Sequence, residues 1–259
     1  MSKIFYTKLP DRGLVQIEGE DRHEFLQGMI TNDIHLLDSQ PAIYACLLSP
    51  QGKFLHDFFV SNGPDGAIFL ECEGRARAYD LYERLKKYRL RSKVQISVEE
   101  DIDVFSCFGT EPQPGYPDPR HKEMGWRSFA KPADNAEEKS FDEWDAHRIA
   151  LCVPDGSRDM VVNNSTMLEC RIDKLNGVSF EKGCYVGQEL TARMHHRGLA
   201  KKHLYALHFE HTPPAYRESI EYEGHLIGEM RSRCGHNGIA QLKDSAIDKL
   251  EYIGVRLIG

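Results

Sequence analysis

The chain lacks any pair of cysteines spaced C-x-x-C. Its seven cysteines, Cys46, Cys72, Cys107, Cys152, Cys170, Cys184 and Cys234, are odd in number and scattered. That argues against a disulfide framework, a zinc ribbon or a self-contained iron–sulfur cage. No apolar run approaches the length of a membrane span, so no membrane role is expected. The opening stretch Met1-Ser2-Lys3-Ile4-Phe5-Tyr6 has no apolar h-region and no Arg- and Ser-rich leader, and the expectation from it is a cytoplasmic protein. Positive charge is short as well. Lys and Arg number 33 against 40 Asp and Glu, a formal net charge of −7, so the overall balance suggests no direct nucleic-acid partner.

What is present concentrates in Lys182-Gly183-Cys184-Tyr185-Val186-Gly187-Gln188-Glu189. Cys184 sits between two glycines that permit positive φ, beside Lys182 and just ahead of Arg193, His195, His196 and Arg197. The run from Gln188 to Met194 contains no breaker and carries Glu189 where a first helical turn favours a carboxylate; Gly198 reads as its stop. A free thiol ionises near ~8.5, and cations or a helix N-terminus lower that value. A thiolate here would serve as a nucleophile or a soft metal ligand. A buried, inert cysteine is the competing reading, and the residues alone leave both open.

Along the chain, Arg12–Ile17 reads as a strand, and Asp21 with Glu24 as a capping box opening a short helix with Phe25, Met29 and Ile30 inward. Thr31-Asn32-Asp33 follows, a polar loop suited to a ligand or to a plain helix exit. Ile43–Leu48, Phe54–Val60 and Ala67–Cys72 alternate with turn signals as a β-meander. Asp57, inside its middle strand, either points to solvent or serves a ligand, because an unpaired buried carboxylate is costly. Arg75–Tyr88 is an amphipathic helix with Ala78, Leu81, Leu85 and Tyr88 as its stripe. Strands near 94–98 and 104–108 complete an α+β unit.

A loop-rich, proline-punctuated connection covers about 110–139. Ser140 and Glu143 mark a second capping box, starting a helix that carries Trp144 and Arg148. Arg148 is either a solvated charge or a bidentate partner for a carboxylate. Beyond Gly198 come short strands, 204–209, 220–222, 225–231, 238–242 and 252–257, which read as a small barrel or sandwich. The division expected is 1–200 and 201–259.

Asn176-Gly177-Val178-Ser179-Phe180-Glu181, the octapeptide, its continuation Leu190-Thr191-Ala192-Arg193 and His195-His196 resemble the signature of the YgfZ family, most closely its mitochondrial iron–sulfur maturation branch. The likeness extends over R-G-L-V-Q-I-E-G-E-D, F-L-Q-G-M-I-T-N-D, L-S-P-Q-G-K-F-L-H-D and G-H-L-I-G-E-M-R-S, blocks shared with the wider glycine-cleavage T-protein superfamily. The resemblance implies a three-lobed α+β ring around a central tetrahydrofolate-binding channel, with a small C-terminal β-barrel.

It implies assembly or repair of [4Fe–4S] clusters together with A-type carrier proteins, Cys184 supplying a thiolate to a transiently shared cluster. Lys182, Cys184, Gln188 and Glu189 are then the important octapeptide positions, and Asn32, Asp33 and Asp57 line the channel. Arg148, Tyr185 and Arg193 join the ligand-binding set, with Lys182, Arg193 and His195 holding an anionic site. The alternative is a folate-dependent aminomethyltransferase; against it, T-proteins carry a doubled aspartate where this chain has His56-Asp57. A cysteine hydrolase using His195 or His196 would need a base and an oxyanion site that the sequence does not place.

Overall fold

The computed structural model describes residues 4–99, 101–109, 115–132 and 136–258. In chain order the elements are β1 (Ile4–Leu9), β2 (Arg12–Glu18), α1 (Arg22–Gln27), β3 (Ala42–Leu48), β4 (Phe54–Asn62), β5 (Ile68–Glu73), α2 (Arg75–Tyr88), β6 (Gln95–Glu99), β7 (Val104–Gly109), β8 (Tyr116–Pro117), β9 (Trp126–Ser128), β10 (Glu137–Glu138), α3 (Phe141–Ala150), α4 (Gln188–Arg197), β11 (Lys202–Phe209), β12 (Ser219–Tyr222), β13 (His225–Cys234), β14 (Asn237–Lys243) and β15 (Val255–Leu257). Of the proline-punctuated connection, 110–114 and 133–135 lie outside the described residues, as do Met1–Lys3.

Among the described residues, three five-stranded sheets organise the fold. The first, β3-β4-β5-β2-β6, is antiparallel throughout, so the meander forms as its alternation dictates. Helix α2 lies on it, burying Ala78, Leu81 and Leu85 against Val15 and Ile17. The approach is close enough that a Cβ at Gly13 would stand 2.7 Å from that of Ala78. Tyr88 departs from the expected stripe and is exposed at the helix end.

The second sheet, β10-β1-β7-β9-β8, takes β7 away from the unit in which its neighbour in sequence, β6, resides. The third, β12-β13-β14-β11-β15, is an antiparallel half-barrel with its own core around Met230, Leu242 and Leu250. Of the two capping boxes, the one at Ser140 forms completely, with Glu143 returning to the Ser140 N–H. Asp21 caps nothing, because its carboxylate accepts from the Lys93 N–H across the chain at 2.7 Å.

Two buried ion networks join these layers. Glu71 on β5 receives Arg12 at 2.6 Å and Arg127, from β9 of the second sheet, at 2.7 Å; Asp118 and Arg120 continue the chain of charges. Burial alone would push the Glu71 carboxyl up, but Arg12 and Arg127 outweigh it and hold it below the ordinary range. Arg148 on α3 forms the second network. It donates to Asp145 and Asp159, each at 2.7 Å, to the Val153 carbonyl, and to Ser232 Oγ of β13 at 2.8 Å.

Candidate functional site

The octapeptide is sewn to the turn that follows α1. Lys182 Nζ donates to the carbonyls of Gln27, Ile30 and Asn32 at 2.8, 2.8 and 2.7 Å, which uses all three N–H bonds of an ammonium. Ser179 N–H donates to Thr31 O, Val186 N–H to Gly28 O, and Thr31 Oγ1 to Gly177 O at 2.6 Å. Tyr185 completes the clasp with its ring 5.1 Å from Lys182 Nζ. Burial pushes Lys182 down to about 8, with Asp33 opposing it.

Gly187 ends this loop and caps α4 at φ +83°; a Cβ there would meet Ser49 O at 2.4 Å, so only glycine fits. Gly183 departs from that expectation: its φ is not positive and nothing lies near its missing Cβ. Gly198, at φ +58°, closes α4 as anticipated.

Between these glycines Cys184 is exposed, just ahead of α4. Gln188 Nε2 points at its sulfur at 3.5 Å while Gln188 Oε1 accepts from the Tyr185 N–H, so the glutamine fixes the turn around the thiol. Four other thiols, Cys46, Cys72, Cys107 and Cys170, are buried, and Cys152 and Cys234 are half-buried. Burial pushes Cys107 and Cys152 up to about 11, Cys72 and Cys170 up to about 12, and Cys46 well above its ordinary range. Among the described residues no three His, Cys, Asp or Glu side chains converge to hold a metal ion.

The remaining expected residues separate into three places. Glu189 and Arg193 face solvent on α4, 3.8 Å apart, and His195 stacks on Phe180 with ring centroids at 3.8 Å rather than joining Lys182. Asn32 and Asp33 sit in the clasp. Asn32 Nδ2 donates to the carbonyls of Tyr44 and Asn176, and Asp33 accepts from Gln27 and the His35 N–H. Asn32, Tyr44, Asn176 and Phe180 line a cavity of about 680 Å³ beside the octapeptide.

Asp57 is buried, not solvated. Tyr44 OH donates to its Oδ2 at 2.8 Å, whereas its Oδ1 has no hydrogen-bond partner among the described residues. Burial pushes its carboxyl up to about 6, with Glu73 adding to the rise and Tyr44 and Arg12 opposing it. Arg148 is neither solvated nor directed at a ligand, since every nitrogen of its guanidinium is spent within the chain. Sequence reasoning missed Gln27 and Tyr44 as supports of the site: the Gln27 carbonyl meets Lys182 155 residues away, and Tyr44 meets Asp57 across a strand pair, so neither leaves a local pattern.

No family model matches the chain. It is 36% identical over 236 residues to the iron-sulfur cluster assembly factor IBA57 homolog, mitochondrial, of Mycosarcoma maydis, covering 80% of this chain and 58% of that protein. It is 30% identical over 272 residues to the iron-sulfur cluster assembly factor IBA57, mitochondrial, of Homo sapiens, covering 91% of this chain and 76% of that one. The mouse counterpart is 31% identical, with 93% and 78% covered. Among solved structures, the glycine cleavage system aminomethyltransferase T from Bartonella henselae superposes with a TM-score of 0.74 at 14% identity, covering 95% of this chain and 80% of that one. That likeness shows the fold.

The cytoplasmic expectation is corrected by these relatives, all named as mitochondrial, which point to mitochondria instead. It rested on what is missing near Met1, and the chain spans only part of each of these longer proteins. No helix among the described residues is long and apolar enough to cross a membrane.

Proposed function

The chain belongs to the family of IBA57 iron–sulfur cluster assembly factors, and from that membership we propose that it assembles or repairs [4Fe–4S] clusters, with Cys184 lending one thiolate to a cluster shared with an A-type carrier protein. The observation that carries this reading is the exposed thiol held on a clasp while four other cysteines are buried and two are half-buried. One thiolate cannot hold a cluster by itself, so the remaining ligands come from the carrier. Anaerobic reconstitution with an A-type carrier should give a cluster chromophore beyond that of the carrier alone, and Cys184→Ser should abolish the difference. A chromophore unchanged in Cys184→Ser would sink the ligand role.

The finer reading is a YgfZ-type three-lobed ring whose interior binds tetrahydrofolate. The residues fit such a ligand at Asp57, whose Oδ1 lacks a partner and would accept from pterin N–H groups, with Tyr44 holding the other oxygen and lining the adjoining cavity. Folate glutamate carboxylates would need exposed cations such as Arg193, because Arg148 is fully buried with each guanidinium nitrogen engaged inside the chain. When bound, tetrahydrofolate supplies one-carbon or reducing chemistry. The aminomethyltransferase reading is weakened by His56, which fills the place of an aspartate in T-proteins and is buried against Asp80 at 2.7 Å.

Asp57→Asn separates binding from stability. Between the ordinary 3.8 and about 6 the native state takes up protons that the unfolded chain does not. Stability contributed at this residue therefore falls as pH rises through that window, and above it the buried charge costs on the order of 3 kcal/mol. At neutral pH the amide should raise the unfolding midpoint while weakening reduced-folate binding in calorimetry. Equal folate affinity in both proteins rules out Asp57 as a contact.

A further inference from the structure

We propose that the cleft between the Gly156–Arg158 turn and the bulged strand β13 binds the phosphate group of a small molecule. The cleft has a volume of about 500 Å³ and is lined by Ser157, Arg158, Tyr216, Arg231, Ser232 and Arg233. Three of its six side chains are arginines in a chain whose net charge is −7. The guanidinium fork is the side chain best matched to oxyanions.

Each arginine is held in place and yet keeps donors in reserve. Arg158 Nη1 donates to Asp145 and Asp155 and Nη2 to Asp145, but its Nε has no acceptor among the described residues. Arg231 is 3% exposed; Nη1 goes to Glu229 and the Met230 carbonyl, Nη2 to Gln241 Oε1 at 3.2 Å, and Nε is buried without an acceptor. Such a buried, unpaired donor is costly and calls for a reason. Arg233 Nη1 rests on the Pro213 and Pro214 carbonyls, and the side chain has no carboxylate within ion-pair reach among the described residues. Its Nε and Nη2 are unspent.

The backbone is shaped for this convergence. The β13–β14 ladder slips between Met230 and Arg233, so consecutive side chains there no longer alternate strictly across the sheet. Bulges re-aim side chains in this way beside binding sites. Arginines line the cleft from two elements, the turn and the strand, which suits a tetrahedral anion approached from several sides better than a planar carboxylate gripped by one fork. Its volume exceeds that of a bare anion and falls in the usual small-molecule range of about 300–1,000 Å³. Tyr216, half exposed at the rim and donating to the Ser157 carbonyl at 3.4 Å, gives a flat wall for the organic part. This site is separate from Cys184 and does not depend on the cluster reading.

Calorimetry with inorganic phosphate, pyrophosphate and glutarate on the full chain tests it, with Arg233→Gln and Arg233→Lys as variants that break no ion pair. Saturable phosphate binding is expected in the wild type, about tenfold weaker in Arg233→Gln and intermediate in Arg233→Lys, which keeps the charge and loses the fork. Absence of saturable phosphate binding, or equal affinity in Arg233→Gln at an unchanged unfolding midpoint, overturns the site. Glutarate binding as tightly as phosphate overturns the assignment to phosphate.

Discussion

Replacing Glu71 with alanine should cost about 3–5 kcal/mol of stability, a large share of the ~5–15 kcal/mol typical of a folded domain. Glu71 is fully buried and receives two arginines from different parts of the fold, Arg12 at 2.6 Å and Arg127 at 2.7 Å. Removing the carboxylate strands two guanidinium groups in the interior. Arg12 keeps Asp155 at 3.8 Å and Arg127 keeps Asp118 at 3.9 Å, neither within hydrogen-bond range.

Arg127 also lies over the Phe59 ring at 3.9 Å, so its head cannot swing out to water without disrupting the packing of β4. Urea unfolding followed by circular dichroism should show the loss in the midpoint, with Glu71→Gln intermediate because it keeps the shape and one acceptor. An alanine variant within about 1 kcal/mol of wild type would mean that the network contributes little. The pH dependence carries the same sign. The Glu71 carboxyl is held below its ordinary 4.5, so its contribution is complete above that value and disappears as pH falls through the depressed folded value.

The parts of this protein legible in its sequence are those whose causes are local. The meander followed from apolar runs separated by turn signals, α2 from its apolar stripe, and the turn–helix after Cys184 from Gly187, Gly198 and a breaker-free run between them. Ser140 and Glu143 formed their capping box because one Glu143 oxygen accepts from the Ser140 N–H while the other takes the neighbouring Lys139. Asp21 did not, because a backbone N–H 72 residues away claims its carboxylate. Such competition cannot be read from spacing.

The same limit governs the candidate site. Arg148 was open between solvent and ligand, and the structure adds a third outcome, a buried tie between α3 and the half-barrel through Asp159 and Ser232. Asp57 was open between solvent and a ligand, and Tyr44 on the neighbouring strand gives it a donor in a buried position. The membership of Cys184 and Gln188 in one turn was visible because they are four residues apart; the anchoring of Lys182 was not, since its acceptors lie 150 to 155 residues away.

That anchoring makes Lys182→Met the sharpest test of how the thiol is presented. The substitution keeps much of the aliphatic stem and removes three donors at once, leaving the carbonyls of Gln27, Ile30 and Asn32 without their shared partner. Hydrogen bonds from charged groups contribute about 1.5–3 kcal/mol each and do not add fully, so a loss of roughly 3–5 kcal/mol is expected. Lys182→Arg should rescue little, because a planar fork cannot place three donors on the three oxygens that one tetrahedral ammonium satisfies.

The remaining links, Ser179 N–H to Thr31 O and Val186 N–H to Gly28 O, hold the two ends of the loop, so its tip, with Cys184, is what gains freedom. Alkylation of Cys184 by iodoacetamide should stay as fast or become faster, since the thiol is already exposed, whereas the chromophore formed with an A-type carrier should fall several-fold because the ligand is no longer pre-placed. A chromophore retained at full intensity in a folded Lys182→Met protein would show that the clasp stabilises the chain without positioning its thiol.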